Sequence, residues 1–328
     1  MKKALLASFC LLAALAAPVR GQVQYGGYVS LDYVKGWGED APPAGSVGDL
    51  LAGFLAVGKI GQRFGFALEA KARDVSSFDL EQAWVGFLPS RAVTVKAGLY
   101  LVPFGNYNRA GRPYETPLIG RPLNLAALYP ASWRDLGLLV EGAIGVLTYA
   151  AFVGNGLSGE GGFGSGQQFE DNNTSWAKGG RIGLALGSDI RAGVSLYSGK
   201  HDAEGQRDLL LEGVDLAWVT EQWEVHGEYT KGLIDNPEPF ERGRTEGFSI
   251  WTLMGFRSVQ PVASFQKVKT DDPFLGEEGT AVDRTRWTLG LRWVLAGRMY
   301  LKIEYAWDKD RLLDVKDKGL RVQAALGF

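Results

Sequence analysis

The sequence predicts an all-β protein, a transmembrane antiparallel β-barrel of about 16 strands. Three observations carry that reading. An export signal stands at the N-terminus, no long apolar run follows it, and sixteen short segments of alternating hydrophobicity fill the rest.

The first element is the signal. Lys2 and Lys3 precede an apolar stretch from Ala4 to Val19, broken by Ser8 and Pro18, and Val19-Arg20-Gly21 before Gln22 fits a small-x-small cleavage pattern. This is the form of a secretory signal peptide, and it falls short of the ~20 residues a spanning helix needs. The chain therefore divides into a signal peptide, 1–21, and an outer-membrane barrel, 22–328. Removing 1–21 leaves 32 basic residues against 37 acidic ones, which gives no reason to expect nucleic acid as a partner. The single cysteine, Cys10, lies in the signal. Disulfide scaffolding, thiol catalysis and Cys-ligated metals are thereby excluded for the mature chain.

No run of 18 apolar residues follows Gln22, so helical spans are excluded and a closed sheet is the membrane architecture that remains. The composition agrees: 45 Gly, 12 Tyr and 10 Trp against 3 Met. Val23–Val34 is the first segment, with Val23, Tyr25, Val29, Leu31 and Tyr33 on one face and Gln24, Tyr28, Ser30 and Asp32 on the other. Leu50–Ile60 with Phe64–Ala72 follows, then Phe78–Phe87 with Ala92–Leu101. Next come Asp135–Gly142 with Leu147–Gly154 and Trp176–Leu186 with Ile190–Tyr197. The last third gives Leu209–Val219 with Trp223–Lys231, Gly247–Phe256 with Val262–Val268, Arg286–Val294 with Met299–Trp307, and Lys318–Phe328. Alternation leaves the inward face open in Leu50–Ile60, Leu147–Gly154, Gly247–Phe256 and Val262–Val268.

The connections alternate in length. Tight ones at 61–63, 89–91, 145–146, 187–189, 221–222, 258–260 and 296–298 separate longer polar links at 36–48, 105–134, 155–175, 234–244 and 270–283. That rhythm matches the two ends of an outer-membrane barrel, and an even strand count puts both termini at the tight-turn end. A soluble sandwich or propeller also has many short strands. Against it, Trp287, Leu289, Leu291 and Trp293 make one side of a strand wholly apolar, and aromatics (Trp218, Trp223, Tyr305, Trp307, Trp251, Phe256) gather toward strand ends, as in membrane girdles. In the last strand apolar side chains fall at 320, 322, 324, 326 and 328. Phe328 thus has the place of the terminal aromatic that the barrel-assembly machinery reads.

Val93–Gly105 enters a long loop through Val102-Pro103-Phe104-Gly105, beyond which come Trp133-Arg134-Asp135 and, later, Asn172-Asn173 before Gly179-Gly180-Arg181. Together these resemble the phosphate-selective porin O and P family over about the middle third of the chain. The resemblance implies a sixteen-stranded pore, often trimeric, with the long third outside loop, 105–134, folded into the lumen as a constriction. The family's ladder of lumen arginines and its lysine cluster find no match here.

If the apolar face meets lipid, the other face lines a channel. Parity puts Lys71, Lys96, Arg181, Arg191, Arg286, Arg292, Lys302 and Arg321 inside, with the acids Asp32, Glu69, Glu141, Asp215, Glu224, Glu228 and Glu304. Opposite signs on separate walls create a transverse field; the blander expectation is that most of these charges are solvated or mutually paired. The loop and its end add Arg109, Arg112, Arg121 and Arg134 against Glu115 and Asp135. Arg109, Arg112 and Arg121 are the gate-side candidates, and Arg134 with Asp135 could brace the loop base. The expectation is a passive pore for small hydrophilic solutes, mildly anion-preferring, without cofactor or metal. A second reading is a plugged structural or adhesive barrel that binds a partner through its outside loops. An enzyme is disfavoured, since His201 and His226 are the only histidines and no Gly-x-Ser-x-Gly exists. Glu224, His226 and Glu228 share one strand face, which makes a poor metal cage.

Overall fold

The computed structural model describes residues 22–37, 44–74, 76–160, 162–255, 258–312 and 316–328. The predicted signal peptide and Phe256 lie outside the described residues. The strands, in chain order, are β1 Val23–Gly36, β2 Ser46–Ile60, β3 Phe64–Arg73, β4 Ser77–Phe87, β5 Thr94–Leu101, β6 Arg134–Ile144, β7 Leu147–Gly154 and β8 Ala177–Leu186. They continue as β9 Ile190–Lys200, β10 Asp208–Val219, β11 Trp223–Ile234, β12 Gly243–Met254, β13 Val259–Thr270, β14 Val282–Ala296, β15 Met299–Asp310 and β16 Lys316–Gly327. Each pairs antiparallel with its neighbours in sequence, and β1 closes on β16. Closure leaves no free edge, so every wall strand finds its backbone partners within the sheet.

Large apolar side chains point outward and polar ones inward, the reverse of a soluble core. On β14, Trp287 and Leu289 are each 56% exposed while Thr288 between them is buried. On β15, Lys302 and Glu304 are buried and Ile303 is exposed. Among the described residues no helix is long and apolar enough to cross a membrane. Trp218, Trp223, Trp287 and Trp293 lie on the outer face, as do Tyr305 and Trp307, whose rings sit 4.5 Å apart. Trp251 differs from expectation. It turns inward and stacks on His226, ring centres 4.0 Å apart, with Leu118, Leu253 and Val262 packed nearby.

Several strands run further toward the long-loop end than the sequence suggests, as with β9, β11 and β15. On β9 and β15 the outward residues there become polar (Ser198 and Lys200, and Lys309), so alternation fades while backbone pairing continues into water. At the opposite end, Phe328 and Gly27 exchange two backbone hydrogen bonds of 2.9 Å, and the Phe328 ring lies across Gly27.

Candidate functional site: the lumen and the loop that crosses it

Residues 102–133 leave β5, turn into the barrel and return to β6. Gly105, with φ at +61°, makes the turn that starts the crossing, a conformation open to glycine at little cost. Asn108 staples the base: its Nδ2 donates to the carbonyls of Val102 and Trp133 at 2.9 and 2.8 Å, and its Oδ1 accepts from the Trp133 amide at 2.9 Å. Phe104, Tyr129, Trp133 and Tyr197 pack ring against ring, with centres 5.0–6.0 Å apart, in an apolar cluster between loop and wall. Leu125 and Leu128 of the short helix α1, Leu123–Leu128, complete it.

From this base the loop spans the bore and is hydrogen-bonded to strands around much of the ring. Gly105 N donates to Ser195 Oγ on β9 at 3.0 Å, and Asn106 bonds Asp215 on β10. Arg112 grips Glu69 on β3 through two bonds of 2.7 and 2.8 Å. The amides of Ile119 and Gly120 donate to the Glu304 carboxylate on β15 at 2.6 and 3.1 Å, and Lys302 donates to the Pro113 carbonyl. Leu123 N donates to Gln266 on β13, and Asn124 Nδ2 reaches Thr230 Oγ1 on β11 at 3.2 Å. Most of these wall groups are charged or carboxamide acceptors of N–H bonds, the stronger kind where a carboxylate takes part.

These contacts give the charged residues distinct surroundings. Arg109 and Lys96 share Glu141, each at 2.6 Å. Arg112 is held by Glu69 and Glu115. Arg121 is committed to the loop itself, its Nη2 within 2.9–3.0 Å of the carbonyls of Leu125, Tyr129 and Pro130. Arg134 and Asp135 begin β6. Arg134 bonds Leu80 O and Glu81, and Asp135 accepts from the amides of Leu136, Asn155 and Gly156.

Along the wall, Lys71 pairs with Glu81 at 2.5 Å, and Arg181 with Asp215 at 2.6 Å. Asp308 takes both Arg284 and Arg286. Lys302 donates to Gln323, which in turn donates to Asp32. Arg292 donates to Gln260 at 2.7 Å. Glu224 pairs with His226 at 3.0 Å, and both line one recess with Glu115, Glu228 and Arg191. Arg321 forms no ion pair among the described residues and lines two cavities.

Sequence reasoning missed Asp308, Asn106, Gln266, Asn108 and Glu81. Asp308 sits one residue past the expected strand end. Glu81 is turned in by a bulge between β3 and β4, which no alternation rule anticipates. Among the described residues no group of three ligating side chains gathers to hold a metal.

No protein-family model matches the chain. A protein of Aquifex aeolicus (strain VF5), described only as uncharacterized, is 25% identical over 161 residues, covering 44% of this chain. The match takes in 36% of that relative, so the chain spans about a third of its length. Among solved structures, an anion-selective porin from Comamonas acidovorans superposes with a TM-score of 0.71 at 14% identity, over 94% of this chain and all of that one. OmpF of Salmonella typhi in complex with daunomycin gives 0.71 at 12% identity, over 93% and 97%. The trimer form of in-vitro folded OmpT from Vibrio cholerae gives 0.62 at 14% identity, over 93% and 99%. At such identities the likeness establishes the fold: a closed sixteen-stranded porin barrel.

Proposed function

We propose that this chain is an outer-membrane porin, a passive water-filled channel for small hydrophilic solutes with a mild preference for anions. One observation carries the reading: a closed ring that is greasy outside and charged inside, with a loop drawn into its bore as a constriction. Outer-membrane lipid then surrounds the belt, the barrel-assembly machinery inserts the chain, and a homotrimer is the natural assembly. The Comamonas protein, by its description, is anion-selective, and the Vibrio one has a trimer form; both properties are proposed here by likeness.

Of the loop arginines, Arg109 is the gate-side charge: with Lys96 it outnumbers Glu141 two to one and remains partly exposed. Arg112 and Arg121 serve as struts. Purified protein in planar bilayers tests the reading. Stepwise conductance with an anion-side reversal potential in a salt gradient supports it, and a cation-selective channel rejects the preference. The resemblance to the phosphate-selective porins adds a finer expectation, that phosphate competes with chloride current; a current indifferent to phosphate rejects that.

The second reading, a structural or adhesive barrel, is favoured by one feature, the tethering of the loop to walls right across the bore. Silent bilayers from well-folded protein would support it over the channel.

A further inference from the structure

The loop divides the lumen into separate spaces whose linings differ in charge. One, about 190 Å³, lies toward the long-loop end between the loop tip, β1 and β13–β16, with five basic residues, Arg284, Arg286 and Arg321 among them, against three acidic. A second, about 280 Å³, lies between the loop and β1–β4, with six basic residues against four acidic. A third, about 510 Å³, opens toward the tight-turn end under the loop base, lined by Arg91, Arg109 and Arg181 with Glu141 the one acid. Arg321 lines both the first and the second space, and Arg109 both the second and the third. A fourth space is the recess holding Glu115, Glu224 and Glu228 with Arg191 and His226, and it shares Tyr107 and Thr116 with the second.

Resting on the porin reading, we propose that anions follow a defined route through the three basic spaces, with Arg321 and Arg109 as its two specificity-determining junctions. The acidic recess is where cations are held instead. At the first junction the loop presents bare backbone. A Cβ on Gly120 would lie 3.2 Å from Arg321 Nη1, 3.7 Å from Glu304 Oε2 and 3.9 Å from Arg286 Nη1, so the glycine leaves a gap, faced by two guanidiniums and one carboxylate, that a side chain would fill. Glu304, the nearest carboxylate there, is already committed to the amides of Ile119 and Gly120. Asp308 neutralises one of Arg284 and Arg286 but not both. The lining as a whole carries Lys35, Arg284, Arg286, Lys318 and Arg321 against Glu304, Asp308 and Asp317, so a net positive charge remains in a narrow space whose low-dielectric walls focus its field on a passing ion. The planar fork of an unpaired guanidinium suits small oxyanions such as carboxylates as well as halide.

The test is single-channel recording of the full-length barrel in a KCl gradient, then with acetate replacing chloride. Folding of each variant is checked by the shift between heated and unheated protein on gels. Arg321→Gln and Arg109→Gln are each expected to lower the anion-to-cation permeability ratio about two- to fivefold. Gly120→Leu is expected to cut conductance while keeping the sign of selectivity. Arg191→Gln removes the same charge from the recess. If it shifts the ratio as far as the junction variants do, a diffuse field and not a route sets the preference, and the inference is overturned. The same holds if both junction variants conduct with an unchanged ratio. A wild-type barrel that conducts nothing refutes the porin reading itself, a separate outcome.

Discussion

Glu141 is one carboxylate between two cations, and that shortage has consequences. Glu141→Gln leaves Lys96 and Arg109 both uncompensated, so anion preference is expected to rise, read as a larger reversal potential in a salt gradient. The reverse case is Glu69, which is almost fully buried beneath Arg112. Removing one partner of a buried pair costs up to ~3–5 kcal/mol, and Arg112 then keeps only Glu115, so Glu69→Gln should release the loop's Arg112 tether to β3. Single-channel traces of that variant should flicker between levels; steady traces would show that the remaining tethers suffice. Outside the wall, His201 is buried with its Nε2 3.0 Å from the Asp235 carbonyl and its ring edge-on to Phe163. Burial holds its pKa below the usual 6.5, against the pull of the Asp235 carbonyl and Asp202, while Arg207 adds to the depression. The neutral form is thus the one folded here. Its contribution to loop stability is full above the unfolded value and is lost as pH falls through that value toward the lower folded one. Gly159 N, which donates to the His201 carbonyl, should exchange its proton faster in mild acid after correction for intrinsic rates. His201→Phe should abolish that pH effect.

At the scale of elements, the loop base is the stiffest part of the crossing. Trp133 is fully buried among Phe104, Tyr129 and Tyr197, and truncation to Ala should cost ~3–5 kcal/mol locally. The ring of strands does not depend on that cluster, so the variant should keep its heat-modifiable gel shift while its conductance grows larger and noisier. The same packing explains what could be read in advance. Strands whose inner face meets water or charge alternate cleanly, and their inward residues were legible. The four with an unresolved face carry apolar side chains on both sides: inside lie Leu51 on β2, Phe152 on β7, Trp251 and Leu253 on β12, Val262 and Val268 on β13. In three of them, β7, β12 and β13, the residues Phe152, Trp251, Leu253 and Val262 pack in clusters that include loop residues, a tertiary fact that no periodicity contains.

For the whole molecule, strand number and the alternation of tight and long connections were legible, because a lipid-facing belt imposes a period of two on every strand, whereas the inward loop followed only from the family resemblance. Pairings inside the bore were not, since they join residues nearly two hundred positions apart, as Gly120 does with Glu304. Assembly makes its own prediction: Phe328→Ala, which uncovers Gly27 at the seam of β1 and β16, should reduce the yield of folded barrel in the membrane fraction. The crossing loop also has a mechanical consequence. Bonded to β3 on one flank and to β10, β13 and β15 on others, it works as a set of spokes inside a hoop. A hollow sixteen-stranded cylinder can flatten into an ellipse under lateral pressure. This one resists, because squeezing any diameter must first break a spoke.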